Sequence, residues 1–343
     1  IIIWGRSMYY RIRNSILFRR YKEYGYITDN SMFGYRQLDD TSFYPGEEYV
    51  SGSGAIMLDM LSKSPQYIDT IVDKLLSIFV DVDFDELKCD TIEFFDMFVE
   101  AVEALVKVEA DWVPSEPNTS LYIRPFMFAT EAALGVHMAN AYKFMIICCP
   151  VGAYYAAGLN PVKILVEDEL VRAVKGGTGF TKCGGNYAGS ILGQVKAEKL
   201  GYAQVLWLDA IERKYIEEVG SMNIMFVIDD TVVTPELNGS ILPGITRASA
   251  LELLRDKGYK VEERKISIDE LIGAAKEGRL KEVFGTGTAA VISPVGEILY
   301  EGTHYVINDG KIGPVAQDIY DTITDTQYGR IEDKYNWVRK IRI

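Results

Sequence analysis

Lys182 stands in an unusual run of glycines. Gly176, Gly177 and Gly179 precede it, Gly184 and Gly185 follow it, and Asn186 and Tyr187 then open a stretch of helical periodicity. Glycine carries no Cβ, so glycines on both sides of a lysine let the backbone come close to a bulky planar ligand. Flanked by Phe180 and Tyr187, the lysine can be desolvated, which favours the neutral amine, the form that makes a Schiff base with an aldehyde. Taken alone, such a lysine is more often a solvated surface residue or a phosphate contact. Two further glycine turns extend the pattern. Leu242-Pro243-Gly244-Ile245-Thr246-Arg247 leads into a helix, so the amides of Ile245 and Thr246 face outward at its N-terminus, a ready anion site. Gly285-Thr286-Gly287-Thr288-Ala289 follows a strand and offers a second group of N–H and hydroxyl donors. Each is also readable as a plain tight turn. Together they suit a ligand with an aldehyde, a phosphate and a second anionic group.

Other chemistries lack their residues. The only histidines are His137 and His304, neither with a second histidine at metal-ligand spacing, so no metal site and no histidine triad is expected. No Gly-x-Gly-x-x-Gly follows a strand and no P-loop is present, which removes the usual anchors for nicotinamide and nucleoside triphosphates.

The elements that must position these residues read as a mixture. Apolar spacing predicts helix between Ile68 and Val108, and helices over Ala188 to Leu200, Arg247 to Lys257 and Ile268 to Glu277. Strands are predicted at Leu121 to Phe128, Lys143 to Cys149, Val205 to Leu208, Ile224 to Ile228, Glu282 to Phe284 and Ala289 to Ile292. This is an α/β or α+β pattern, and 343 residues suggest two domains. The boundaries read as a small N-terminal domain over 1–155, an interdomain loop over 156–170 and a larger domain over 171–343.

Composition narrows the partners. The net charge of −13 argues against a nucleic-acid or membrane-surface binder, so an anionic ligand must be held by local donors. The spacing of Cys89, Cys148, Cys149 and Cys183 fits neither zinc nor a disulfide framework, which predicts reduced thiols and a cytoplasmic protein. The longest apolar run, Phe144 to Val151, is too short to span a membrane, and arginines break up every hydrophobic stretch of the first 26 residues. That opening reads equally as a fragment boundary, a divergent extension or a targeting segment.

Seven segments, in order, carry a family resemblance. They are Ser120-Leu-Tyr-Ile-Arg-Pro125, Cys149-Pro-Val-Gly-Ala-Tyr154, Lys182-Cys-Gly-Gly-Asn-Tyr187, Gln204-Val-Leu-Trp-Leu208, Glu218-Val-Gly-Ser-Met-Asn223, Leu237-Asn-Gly-Ser-Ile-Leu-Pro-Gly244 and Val283-Phe-Gly-Thr-Gly-Thr-Ala289. From about Asp111 onward the chain resembles the branched-chain amino-acid aminotransferases of the pyridoxal-phosphate fold type IV class. The resemblance implies pyridoxal 5′-phosphate linked to Lys182, with transfer of the amino group of leucine, isoleucine or valine to 2-oxoglutarate. It implies cofactor contacts from Tyr187 to the phenolic oxygen, from Glu218 to the ring nitrogen, from Ile245, Thr246 and Thr288 to the phosphate, and from Ser221. Tyr122, Arg124 and the Ala289 amide look like the substrate α-carboxylate side, and Tyr154 like a pocket wall. Val136 is similar to a residue that reaches a neighbouring subunit, which implies a homodimer.

The first hundred residues depart from the pattern. The family's Phe-Glu-Gly-Leu-Lys and Leu-Phe-Arg-Pro segments are missing, the second of which supplies an arginine to the phosphate. Ala290 and Ser293 stand where some members carry a cysteine pair, so no thiol switch is expected. Two alternatives stay open: another fold type IV activity, such as a D-amino-acid aminotransferase or an aminodeoxychorismate lyase, and a catalytically impaired relative.

Overall fold

In the computed structural model, the described residues are strands within the first 51 residues and most of 98–341; 117–118, 138, 140 and 153–158 fall outside the description. Cα proximity separates two units: 1–62 with 66–152 and 339–343, and 63–65 with 153–338.

The first unit is built on an antiparallel sheet of β1 (Ile2–Ile3), β2 (Ile16–Tyr21), β3 (Tyr24–Asp29), β4 (Glu47–Ser51), β5 (Ser120–Ala129) and β6 (Tyr142–Val151), in the order β1-β5-β6-β2-β3-β4. Strands β5 and β6 pair along their whole length, from Ser120↔Val151 to Ala129↔Tyr142. Leu121 and Ile123 point into a core with Ile146 and with Val102, Leu105 and Val106 of the helical stretch 98–108. Because strand side chains alternate, Tyr122 and Arg124 share the opposite face. The predicted helix from Ile68 is seen only over 98–108; its earlier part lies outside the described residues.

The second unit holds a nine-stranded sheet: β7 (Val162–Glu167), β8 (Gln204–Leu208), β9 (Ile216–Val219), β10 (Asn223–Ile228), β11 (Thr231–Thr234), β12 (Lys260–Glu263), β13 (Leu280–Gly287), β14 (Val291–Tyr300) and β15 (Thr303–Val306). Its order is β12-β11-β10-β13-β14-β7-β8-β9, with β15 added to β14. A bridge between Val219 and Met222 sets the end of β9 against the start of β10, so the sheet curls back on itself. The curl encloses Ile164, Val166, Leu206, Phe226, Val283 and Ile298 with Leu271 and Ile272.

Four helices pack on this sheet: α1 (Gly184–Lys199), α2 (Ile245–Asp256), α3 (Ile268–Lys276) and α4 (Pro314–Gln327). Helix α3 starts at a serine cap, Ser267 accepting a bond from the Glu270 amide at 3.1 Å. Helix α4 starts at Pro314 and is capped from outside: Glu282 of β13 accepts from the amides of Val315 and Ala316 at 3.0 and 2.9 Å. A buried carboxylate there meets the positive end of the helix dipole. Helices α2 and α4 bury Leu251, Leu254, Val315 and Ile319 against Phe284 and Ile292.

Several predicted boundaries differ. Residues 162–167, read as part of a connecting loop, form strand β7, paired in parallel with both β14 and β8. Such a strand, covered on both faces, shows an apolar run and no alternation. Ala289 and Ala290, predicted to begin a strand, lie in a turn, and β14 starts at Val291. Helix α2 begins two residues before Arg247, at Ile245. Cys148, Cys149 and Cys183 are free thiols. Among the described residues no helix is long and apolar enough to cross a membrane.

Candidate active site

Lys182 ends a turn over residues 175–182 and is exposed immediately before α1. That turn is pinned from below by one side chain. Asn186, in the first turn of α1 and buried, donates to the carbonyls of Thr178 and Thr181 at 2.7 and 3.0 Å, and its Oδ1 accepts from Thr178 Oγ1 at 2.7 Å. The glycines here do two different things. A Cβ on Gly179 would lie 2.2 Å from the Ser240 carbonyl oxygen and 2.6 Å from Ala173 Cβ, so this glycine lets protein backbone, not a ligand, come close. Gly176 has φ +86, a left-handed conformation that favours glycine, while Gly184 and Gly185 face open space or only the Cys183 sulfur.

Glu218 lies on β9 with its side chain 3% exposed. Its oxygen accepts the Leu242 amide at 2.6 Å and stands 3.3 Å from the Arg172 guanidinium. Burial pushes its carboxyl up to about 7; the charges of Arg172 and Lys182 and the Leu242 amide oppose that rise, and neighbouring Glu217 adds to it. Lys182 is therefore close enough to Glu218 to act on its ionisation. Arg172 also donates to the carbonyls of Gly179, at 3.1 Å, and Ser240. One guanidinium thus ties the lysine turn, the 238–242 loop and the buried carboxylate together.

The two anion turns follow from the same scaffold. Gly244 has no side chain to cap α2, which leaves the amides of Ile245 and Thr246 open to an outside acceptor. A Cβ on Gly244 would sit 2.3 Å from Asn223 Oδ1, and Asn223 Nδ2 donates to the Leu242 carbonyl at 2.7 Å. Asn223 in turn pairs with Thr286 across β10 and β13. Gly285 and Gly287 pack on Met222: a Cβ on Gly287 would meet Met222 Cγ at 2.9 Å. Beyond them Thr288 and Ala289 are exposed in the turn before β14, while the buried Thr286 Oγ1 has no partner among the described residues. Val291 closes that turn at φ +58, a left-handed backbone that costs a β-branched residue on the order of 1–3 kcal/mol.

A continuous series of contacts in the second unit therefore joins Lys182, Glu218, the start of α2 and the Gly285–Ala289 turn. Ser221 is exposed in the Val219–Met222 turn beside Glu218. Tyr187 is 45% exposed on the first turns of α1. In the first unit, Arg124 donates to the Tyr122 hydroxyl at 2.8 Å and its guanidinium lies 5.0 Å from that ring's centre. Val136 is fully exposed in the loop between β5 and β6. Tyr154 lies outside the described residues. Sequence reasoning does not single out Arg172, Glu217 or Asn223; Asn223 stands inside a recognised motif, whereas Arg172 carries no pattern that could find it.

The donor set fits pyridoxal phosphate. A buried carboxylate poised near neutrality suits a ring nitrogen, the lysine within its field is open to an aldehyde although not desolvated as its aromatic flanks suggested, and an uncapped twelve-residue helix suits a phosphate.

Comparison with known proteins agrees. The amino-transferase class IV family matches residues 99–298. Branched-chain-amino-acid transaminase 1 of Bacillus subtilis is 56% identical over 247 residues, covering 72% of this chain and 69% of that protein. A branched-chain-amino-acid aminotransferase of Mycolicibacterium smegmatis is 46% identical over 251 residues, covering 72% and 68%. Among solved structures, a branched-chain amino acid aminotransferase of Escherichia coli superposes with a TM-score of 0.62 at 24% identity, covering 96% of this chain and 90% of that one. The T.th. branched-chain amino acid aminotransferase with pyridoxamine 5′-phosphate gives 0.61 at 24% identity, over 96% and 90%. At that identity the structural likeness speaks to fold alone, a fold type IV architecture. Together with the sequence matches, it follows that this chain belongs to the class IV amino-transferases, in the branched-chain-amino-acid aminotransferase family.

Proposed function

We propose that the protein is a pyridoxal-phosphate-dependent aminotransferase that moves the amino group of leucine, isoleucine or valine to 2-oxoglutarate. The observation that carries this reading is the buried Glu218, pushed up to about 7, within electrostatic reach of Lys182 and bonded to the Leu242 amide just before the uncapped start of α2. When bound, the cofactor supplies an aldehyde that takes up the amino group and a ring that accepts the electrons released at the substrate Cα.

The protein's own groups do the rest. The Lys182 amine holds the aldehyde and then carries the proton removed from the substrate Cα. Glu218 holds a proton on the ring nitrogen, where Arg172 and the Leu242 amide fix its orientation. Tyr187 serves the phenolic oxygen, and Ser221 stands at the cofactor's edge. The amides of Ile245 and Thr246 and the Thr288 hydroxyl hold the phosphate. The Ala289 amide takes the substrate α-carboxylate; Tyr122 and Arg124 of the first unit, one phenol and one cation joined on a single strand face, are assigned to a carboxylate on resemblance alone. Tyr154 is assigned to the pocket wall on resemblance alone. Apolar walls discriminate neighbouring aliphatic side chains by only about 1–3 kcal/mol, so all three branched amino acids serve as donors.

The deciding experiment is Lys182→Ala. Turnover with leucine and 2-oxoglutarate and the visible band of the lysine-linked cofactor should vanish while the circular-dichroism spectrum is kept, because the side chain is exposed. Retained amine transfer contradicts the assignment, and transfer from D-alanine in preference to L-leucine moves the protein to another fold type IV activity.

The functional unit in this proposal is a homodimer in the cytoplasm, with the cofactor held by the unit that spans 153–338. Exposed apolar groups support a second copy: Leu134 and Val136 on one loop, and Ile191, Leu192 and Val195 along one face of α1. Leu192→Glu should shift the mass measured by light scattering from dimer to monomer; an unchanged dimer removes α1 from the interface.

A further inference from the structure

The turn that closes β13 onto β14 is held by an unexpected residue. Gly287 pairs with Val291, and Thr288, Ala289 and Ala290 span the gap between them. The position that ends such a short hairpin loop in the left-handed region is ordinarily a glycine or an asparagine, whose backbones accept positive φ. Here it is a valine at φ +58. Its two γ-methyl groups make it one of the residue types least tolerant of that conformation. Among the described non-glycine residues that share a positive φ, the others are arginine, aspartate, glutamate and asparagine, and Val291 alone is β-branched.

What keeps it there is burial. Val291 is 6% exposed, packed in the core cluster that contains Phe284, Ile292, Val315 and Ile319. The next residue, Ile292, is in register with Thr286, so the strand cannot slide to relieve the angle without moving a buried side chain. On the other strand Gly285 and Gly287 are pressed onto Met222, which blocks relaxation from that side. The backbone N–H groups of Thr288, Ala289 and Ala290 have no backbone acceptor among the described residues. A turn with idle donors, clamped at its exit by a strained and buried valine, is a device for holding donors in one arrangement before a ligand arrives.

We propose that Val291 is a positioning residue: by locking a left-handed backbone with a buried β-branched side chain, it presets the Thr288–Ala290 amides for two anions, the cofactor phosphate and the substrate α-carboxylate. The inference rests on the assignment of Thr288 and Ala289 to those anions. Val291 itself touches neither ligand; its effect passes through the peptide planes it holds.

The test compares Val291→Ala, Val291→Gly and Val291→Ile on the cofactor-loaded enzyme and on the stripped protein. Loss of the γ-methyl groups removes the anchor, so the alanine and glycine variants should each raise the dissociation constant for pyridoxal phosphate about tenfold. Pyridoxal, which lacks the phosphate, should bind all forms alike. KM for leucine should rise by a similar factor while kcat falls less than threefold, and the isoleucine variant, buried and β-branched, should restore both. If the glycine variant does not fold, the alanine variant carries the same comparison. A lower melting temperature with unchanged phosphate-dependent binding and unchanged KM in both variants overturns the proposal and leaves Val291 a core residue. Thr288→Ala separates the two failures: if it weakens pyridoxal phosphate while the Val291 variants do not, the turn binds anions but needs no such clamp. If neither has any effect, the turn is not an anion site.

Discussion

Replacing Glu218 by glutamine keeps shape and most hydrogen bonds but removes the charge, and the structure fixes what should follow. The carboxyl rises from an ordinary 4.5 to about 7 on folding, which corresponds to about 3 kcal/mol. Because the folded value is the higher one, the contribution of this group is intact below pH 4.5 and is lost as pH rises through 7. The cofactor-free protein should therefore lose about 3 kcal/mol across that window from this group, and Glu218→Gln should lack that loss. The attraction of Arg172 is already contained in the value of about 7, so between pH 5 and pH 8 the glutamine variant should gain on the parent by this amount. Catalysis moves the other way. Losing one charge-assisted contact at the ring nitrogen is worth about 1.5–3 kcal/mol, or roughly 10- to 150-fold in kcat. The assays are urea unfolding of the stripped proteins at pH 5, 6, 7 and 8, and steady-state transamination of leucine. Parallel stability–pH curves for the two proteins would refute the burial argument. An unchanged kcat would refute the role at the ring nitrogen.

Two further outcomes test the scaffold. Gly179→Ala places a Cβ 2.2 Å from the Ser240 carbonyl, a backbone atom that cannot swing aside, so it should destabilise the fold by about 1–3 kcal/mol and reduce bound cofactor; a thermal melt and visible spectrum like those of the parent would contradict this. Glu297 accepts from Tyr202 at 2.9 Å, lies 2.9 Å from both His304 Nδ1 and Lys163, and is held down at about 2 mainly by the histidine. Its stabilising effect is thus present above pH 4.5 and lost as pH falls toward 2, so the stability gap between the parent and Glu297→Gln should close on acidification. A gap that stays constant from pH 6 to pH 2.5 would show that the cluster does not depend on that charge.

What the sequence revealed and what it hid divide along a physical line. Glycine clusters, a lysine between them and a helix start after Pro243-Gly244 are local signals, and the structure brings those segments into one connected region. The assignment to the aminotransferase family rested on seven such segments. Long-range pairings left no local trace. Arg172 is an isolated arginine in sequence, yet it links three loops that lie 7 to 68 residues apart. Val162–Glu167 read as a connector because a doubly covered parallel strand after Pro161 shows no alternation. Glu282 looked like an ordinary strand residue, and only the fold reveals it as the cap of a helix starting more than thirty positions later. The left-handed Val291 ran against its own local preference, so the predicted strand began two residues too early. The glycine reading was wrong about cause at Gly179, where backbone, and not a ligand, occupies the space.

Reductive trapping tests the central claim most directly. The purified protein, loaded with pyridoxal phosphate, is treated with borohydride, digested, and its peptides sequenced by mass spectrometry. The account predicts a phosphopyridoxyl group on the peptide bearing Lys182 and loss of the label in Lys182→Ala. Label on another lysine, or none on a protein that still transaminates, would contradict it.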